Sequence, residues 1–430
     1  MRRSVLLGLL AYLLLLTGLL AVDGRFIVLA LLVWVYLGAA LLTCPTTPKL
    51  SVTRTLDPPV LTEGGQVVVT LQLRNEGARN VFLHVADRIP PELRLCEGDF
   101  SGMALLAPAE TFTLTYTLMV RRGEFNFEGL ELVVSEPLGL LRQALRWPLP
   151  SQLLALPRVD KWRAVTIRPA RTLGFTGPIP SRQGGVGTDV YGVREYHPGD
   201  PLRHINWRAT ARYHDRAFTT EFEQERITDV GLILDIRRQS AMQSGDASLL
   251  DHTVRATGAL SETLLRAGHR VGLLLYGKGN QWIFPGYGRV QQRRILQALA
   301  AARAAESDFF DRLRYLSTRV FPARSQLIFI SPLMPDDHDM LFQLRAQGYS
   351  VLVICPDSVA FQAQAASPPF LPLVVRLARL ERIAWLRRLR QGGVVVVDWP
   401  VEAALDERLQ AVSVRERLQA QRLHTLQSLL

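Results

Sequence analysis

Cysteine is scarce in this chain: among 430 residues there are only Cys44, Cys96 and Cys355, widely spaced and without a CxxC pair. That argues against a disulfide framework or a structural zinc site and fits reduced thiols. Cys355 closes an apolar strand-like run and reads as core. No Gly-Lys-Ser/Thr follows the glycine-rich Gly184-Gly185-Val186-Gly187, and no strand leads into it with a helix after it, which argues against a phosphate-cradling loop. Acidic residues are outnumbered, 39 against 50 basic, for a formal charge of +11. Much of the excess is arginine scattered along amphipathic segments such as Arg376 to Arg390, a solvated or lipid-facing pattern rather than a nucleic-acid footprint.

Long apolar runs are abundant and unevenly spread. Leu6 to Val22 and Phe26 to Leu42 are nearly charge-free, with only Asp23-Gly24-Arg25 between them. Each approaches the length that spans a hydrocarbon core of ~30 Å, so residues 1–44 read as a transmembrane hairpin, with helices over about 5–22 and 26–42. A cleaved signal peptide is the competing reading of the first run, with Arg2-Arg3 as its positive region, but the second run follows at once. Arg2 and Arg3 before the hairpin, and Lys49 and Arg54 after it, place both ends and the whole body on the cytoplasmic side.

After Pro45 the hydrophobic period changes to two. Ser51–Thr55, Gln66–Arg74, Val81–Val85, Thr111–Val120 and Gly129–Val134 alternate or run β-branched, with turn signals such as Glu63-Gly64-Gly65 between them. An immunoglobulin-like β-sandwich over 49–150 is expected, as a spacing or docking module. A linker with a signature segment follows over 151–228. From 229 to 430 apolar runs alternate with amphipathic helices: strands Val230–Leu234, Val271–Tyr276, Gln326–Ile330, Ser350–Ile354 and Val394–Val397, with helices over Ser248–Ala267, Val290–Ala304, Phe309–Val320, Asp336–Ala346, Leu373–Arg390 and from about Leu405. Strands apolar on both faces, each followed by a helix, mean a doubly wound α/β domain with a mostly parallel sheet. The short Gln281–Phe284 strand is an antiparallel edge.

The signature core, Gly184 to Arg212, has almost no helical or strand period: glycines, paired charges, a His-Pro-Gly-Asp turn and an Asn-Trp-Arg triplet sit together. Gly185, Gly187 and Asp189, then Val193-Arg194-Glu195-Tyr196 with Pro198-Gly199-Asp200, then Arg203, Ile205-Asn206-Trp207-Arg208, Thr210-Ala211 and Arg212 resemble the defining stretch of the bacterial "domain of unknown function 58" family. The resemblance extends more loosely over hairpin, sandwich and α/β domain. It implies a von Willebrand factor A-like fold for the last of these and anchoring in a bacterial inner membrane. It also implies work as an adaptor or assembly factor beside a MoxR-type AAA+ ATPase, with no enzymatic activity attached.

A-domains often bind ligands through a metal held by a first-strand DxSxS pattern. Here Asp235 fits, but Arg237 and Gln239 stand at the hydroxyl positions, and the fourth strand ends in Ser331 rather than Asp. A hard cation wants several oxygen ligands, so no metal and no cofactor are expected; Asp235 pairs with an arginine, with Asp336 and Asp337 as reserve carboxylates. The strand-end crevice, taken to hold Asp235, Arg237, Arg238, Tyr287, Arg289 and Ser331, is a candidate site for an acidic partner. In the signature, Arg194, Glu195, Asp200, Arg203, Asn206 and Arg208 form an ion and amide network anchored by Trp207, which clasps the linker to the α/β domain, the glycines allowing it to turn. The leading expectation is a non-enzymatic interaction factor. A hydrolase or transferase using His197 and Asp200 is the alternative, although no serine or cysteine nucleophile stands at a matched position. An adhesin-like receptor is a third.

Overall fold

Alternating and fully apolar runs produce sheets here, five among the described residues, and helices mainly cover them. The computed structural model describes residues 2–42, 48–135, 142–160, 162, 176–213, 216–226, 229–245, 247–277, 281–305, 320–322, 325–364 and 371–412. The expected helix over Phe309–Val320 lies outside the described residues, apart from Val320. Two units result, Met1–Leu156 and Pro157–Leu430. The sandwich thus ends at Leu156 rather than 150, and the expected linker from 157 onward belongs to the second unit.

The first unit begins with helices α1 (Arg2–Leu20) and α2 (Gly24–Leu42), joined by a turn in which Asp23 Oδ1 accepts from the Arg25 N–H at 3.0 Å. The expectation of a transmembrane hairpin is corrected: among the described residues no helix is long and apolar enough to cross a membrane. Both helices have 19 residues, and arginine stands in the first turn of each, leaving less than the roughly 20 apolar residues that a ~30 Å core asks for.

Strands β1 (Leu50–Asp57), β2 (Val60–Thr62), β3 (Gln66–Asn75), β4 (Val81–Asp87), β5 (Arg94–Gly98), β6 (Ser101–Leu106), β7 (Thr111–Met119), β8 (Gly123–Ser135) and β9 (Arg142–Leu156) follow. They make a sheet of order β1-β3-β7-β5 and another of order β2-β9-β8-β4-β6. Alternate residues of both, among them Val69, Leu71, Leu83, Leu118, Phe127 and Leu132, meet in one core. A fully buried ion pair joins the two sheets: Arg54 of β1 meets Asp87 of β4 at 2.5 Å, and the Tyr116 hydroxyl of β7 donates to the same carboxylate at 2.5 Å. Burial first, and Asp87 beside it, push the Tyr116 phenol well above its usual range. Arg54, counted from sequence as a charge flanking the hairpin, is therefore a core residue.

In the second unit β10 (Thr176–Glu195) and β11 (Phe218–Arg226) pair antiparallel, with α3 (Trp207–Thr210) between them. The glycine-rich stretch expected as turns is strand, and its register with β11 shifts between Ser181 and Gly184 and between Gly185 and Val190. Then come β12 (Asp229–Asp235), the two-residue strands β13 (Gln243–Ser244) and β14 (Ala247–Ser248), α4 (Leu249–Arg266), β15 (Arg270–Tyr276), β16 (Trp282–Gly286) and α5 (Gly288–Ala301). They are followed by β17 (Gln326–Ile330), α6 (Asp337–Ala346), β18 (Ser350–Pro356), α7 (Ser358–Ala363), α8 (Leu371–Gln391) and β19 (Val395–Trp399).

The six-stranded sheet has order β16-β15-β12-β17-β18-β19; β16 runs antiparallel to β15, and the other pairings are parallel. Successive residues of β12 point to opposite faces. Leu232 and Leu234 join Val254 and Leu260 of α4 and Leu299 of α5 in one core, while Ile233 joins Leu341 of α6 and Leu389 of α8 in another. Trp162 packs against the first of these cores.

Candidate functional site

Asp235 ends β12, where the parallel strands present their carboxyl ends. The chain folds back at once: the Arg237 backbone N–H donates to Asp235 Oδ1 at 3.0 Å, and its guanidinium then grips the same carboxylate through Nε (2.9 Å) and Nη2 (2.7 Å). The far side of the guanidinium grips Asp337, at the start of α6, through Nη1 (3.0 Å) and Nη2 (2.7 Å). The Ser331 hydroxyl donates to Asp235 Oδ2 at 2.6 Å and the Met334 N–H to Asp337 Oδ2 at 2.7 Å. All four carboxylate oxygens are thereby engaged. Asp235 is 1% exposed, Arg237 3% and Ser331 0%.

The Arg237 guanidinium lies 4.5 Å from the Tyr276 ring centroid. Burial works against its charge, but the hydrogen bonds and attraction of Asp235, then of Asp337, outweigh that and hold it above its ordinary value. Tyr276 is pushed up to about 12, by burial first and with the two aspartates adding to it against Arg237. Gly277 closes the cage. Its φ is +120°, and a Cβ there would stand 2.9 Å from the Arg237 backbone nitrogen, so a side chain is excluded both by the backbone and by the space.

A divalent cation does not fit this arrangement. The place between the two carboxylates is filled by a guanidinium, and among the described residues no group of three or more His, Cys, Asp or Glu side chains is placed to hold a metal ion.

The expected crevice divides. Asp235, Arg237 and Ser331 come together, with Asp337 in a full partner's place instead of a reserve one. Arg238 is exposed beside them. Tyr287 and Arg289 lie at the other end of the sheet, because β16 runs backwards and its last residue, Gly286, pairs with Val271 near the start of β15. There Arg270 reaches over the Tyr287 ring at 5.6 Å and pairs with Asp229 at 3.1 Å. Tyr276 was not legible as a member; its signal was the glycine that follows it.

The signature segment is held by its own side chains. Arg194 grips Asp200 with Nη1 (2.9 Å) and Nη2 (2.8 Å), and the His197 N–H donates to Asp200 Oδ2 at 3.0 Å. These bonds, that of Arg194 foremost, hold the Asp200 carboxyl below its usual range. His197 to Asp200 form a tight turn, with Pro198 second, Gly199 third at φ +112°, and the Asp200 N–H closing onto the His197 carbonyl at 3.0 Å. Glu195 pairs with Arg216, so both acidic neighbours of His197 are taken up by arginines. Tyr196 N–H bonds to the Ala217 carbonyl at 2.8 Å. Asn206 caps α3, accepting from the Ala209 N–H at 3.0 Å and donating to Thr220 Oγ1 at 3.3 Å. Gly185, Gly187 and Asp189 lie in β10.

Trp207 does not anchor this network. It is 71% exposed, because α3 turns Ala209 and Thr210 toward β11, with Thr210 Oγ1 accepting from the Phe218 N–H at 3.0 Å. Leu202 (70%) and Tyr213 (62%) are exposed with it, and so are Arg203, Arg208 and Arg212.

Among curated proteins the chain is similar to the "Uncharacterized protein YeaD" of Bacillus subtilis (strain 168), 26% identical over 282 residues that make up 64% of this chain and 68% of that one. Among solved structures it is matched by the ASH / PapD-like domain of human CEP192 (19% identity, 26% of this chain and 90% of that one, TM-score 0.19). The CARDB domain of the PF1109 protein from Pyrococcus furiosus also matches (18%, 26% and 97%, TM-score 0.19). Scores of that size assign no function. Residues 192–361, which hold the self-braced segment from Gly192 on and the whole Arg237 network, match the family described as "Protein of unknown function DUF58".

Proposed function

We propose that this chain is a non-enzymatic protein-interaction factor whose binding face is the braced segment from Val193 to Tyr213. The observation that carries this reading is Trp207, 71% exposed on a segment whose backbone is held by the Arg194–Asp200 grip and the Asn206 cap. A rigid aromatic side chain in water, flanked by Leu202 and Tyr213 and by Arg203, Arg208 and Arg212, is the composition that interface centres favour. The arginines suit an acidic partner surface.

The order of the six-stranded sheet, one antiparallel strand at the edge of five parallel ones, supports reading the second unit as a von Willebrand factor A-like domain. In that reading its metal position has been given over to Arg237, so recognition moves from the strand ends to the braced segment. The family resemblance implies a MoxR-type AAA+ ATPase as partner.

Photo-crosslinking from position 208 in cells, followed by mass spectrometry, tests both statements. The expected result is an AAA+ ATPase crosslinked to wild type and weakened at least about tenfold by Trp207→Ala, at an unchanged unfolding midpoint. A crosslinking pattern indifferent to Trp207→Ala overturns the binding face.

A further inference from the structure

Helix α8 is fixed in rotation by its inner side. Arg382 donates to Asp398 Oδ1 at 2.7 Å and to the Cys355 carbonyl at 3.0 Å, the Trp385 ring meets His338 at 4.4 Å between centroids, and Leu386 and Leu389 are buried. At about 100° per residue, the opposite side carries Leu373, Leu377, Leu380 and Ala384 within about 60° of circumference. Their spacing of four, three and four is that of a coiled-coil seam. The leucines are 73%, 60% and 65% exposed, so this seam faces away from the domain's own core.

Exposed charges border the seam: Arg376 and Arg387 along one side, and Arg388 along the other together with Glu381, the one acid of the helix, so that arginines outnumber acids three to one. We propose that α8 is a second docking surface, which takes an amphipathic helix of a different protein carrying leucine-type residues on its seam and acidic residues beside it. Charge selects this occupant. A second copy would set arginine against arginine, which costs free energy at seam-flanking positions. The surface stands on α8 alone and is independent of the Trp207 face.

The test uses the full chain and two fluorescein-labelled peptides of about three heptads, both with leucine on the seam, one with glutamate and the other with lysine at the flanking positions. By fluorescence anisotropy, the glutamate peptide is expected to bind at least about tenfold tighter than its lysine twin. Leu377→Asp/Leu380→Asp should remove that binding without moving the unfolding midpoint, both positions being exposed, and Trp207→Ala should leave it unchanged. Equal binding of the twins, or binding that survives in the double variant, overturns the proposal. Vesicles of phosphatidylcholine with phosphatidylglycerol, and sedimentation of the chain alone, provide the other arms. Vesicle binding or self-association that exceeds the peptide's and is abolished by the same double variant assigns the seam to lipid or to a second copy, and overturns it as well.

Discussion

Arg237 and Arg194 each grip an aspartate through two roughly parallel N–H···O bonds, yet their surroundings make them different devices. Arg237 leaves 4% of its side chain in water and bridges two aspartates, whereas Arg194 leaves 41% exposed and holds an aspartate that is itself 17% exposed. At depth, each charged group has lost its hydration and depends on the others for replacement, so the set stands or falls together. Near water, screening leaves the pair little net energy, and its use is geometric: it fixes the turn from His197 to Asp200. The same bidentate contact is thus a structural keystone at the end of β12 and a local brace between β10 and α3.

The largest effect is expected at the buried end. Arg237→Ala leaves Asp235 and Asp337 without their cation and should lower stability by about 3–5 kcal/mol, read as a fall in the urea midpoint of the α/β unit. Arg237→Lys should recover only part, since an ammonium cannot reproduce the fork that grips both carboxylates. A midpoint unmoved in Arg237→Ala would erase the contrast. His269 sharpens it, being buried with no ionic partner among the described residues to offset the loss of water. It is 4% exposed, Nδ1 has no hydrogen-bond partner among the described residues, and burial pushes its pKa down to about 4. Because the folded value lies below the ordinary ~6.5, stability is full above pH ~6.5 and drains as pH falls toward 4, by roughly 3 kcal/mol in all. Denaturation at stepped pH should show this slope in wild type and a flatter one in His269→Leu.

The smallest effect is expected at the braced turn. Asp200→Asn should shift the melting temperature by no more than about 1 °C while raising tryptic cleavage between Arg203 and Arg212 about fivefold. Since Asp200 titrates below its usual range, the wild-type turn should resist cleavage at neutral pH and loosen only as pH falls below ~4. Cleavage unchanged by the substitution would show that the backbone bonds hold the turn alone.

Periodicity carried much of the fold. The strand runs at Val230–Leu234, Gln326–Ile330 and Ser350–Ile354 are apolar on both faces, and the structure covers both faces with helices. Periodicity could not carry what depends on partners distant in sequence. Arg54 looks like any basic residue after an apolar helix until β4 and β7 bring Asp87 and Tyr116 to it. Trp207 looks like an anchor because tryptophan is usually apolar filling, and a four-residue helix decides otherwise. Tyr287 follows the edge strand in sequence, but the reversal of that strand carries it to the amino ends of its neighbours. Asp235 pairing with an arginine was legible from Arg237 two residues on; that Asp337 shares the same guanidinium needed the turn into α6.

A cation that arrives from solution obeys mass action: its occupancy rises and falls with its free concentration, and the stability it adds varies in step. The guanidinium between Asp235 and Asp337 is bonded to the chain two residues from one of its ligands, so it has no bulk concentration to follow. The cation at the end of β12 is therefore present at one per chain, whatever the concentration of free cations around it.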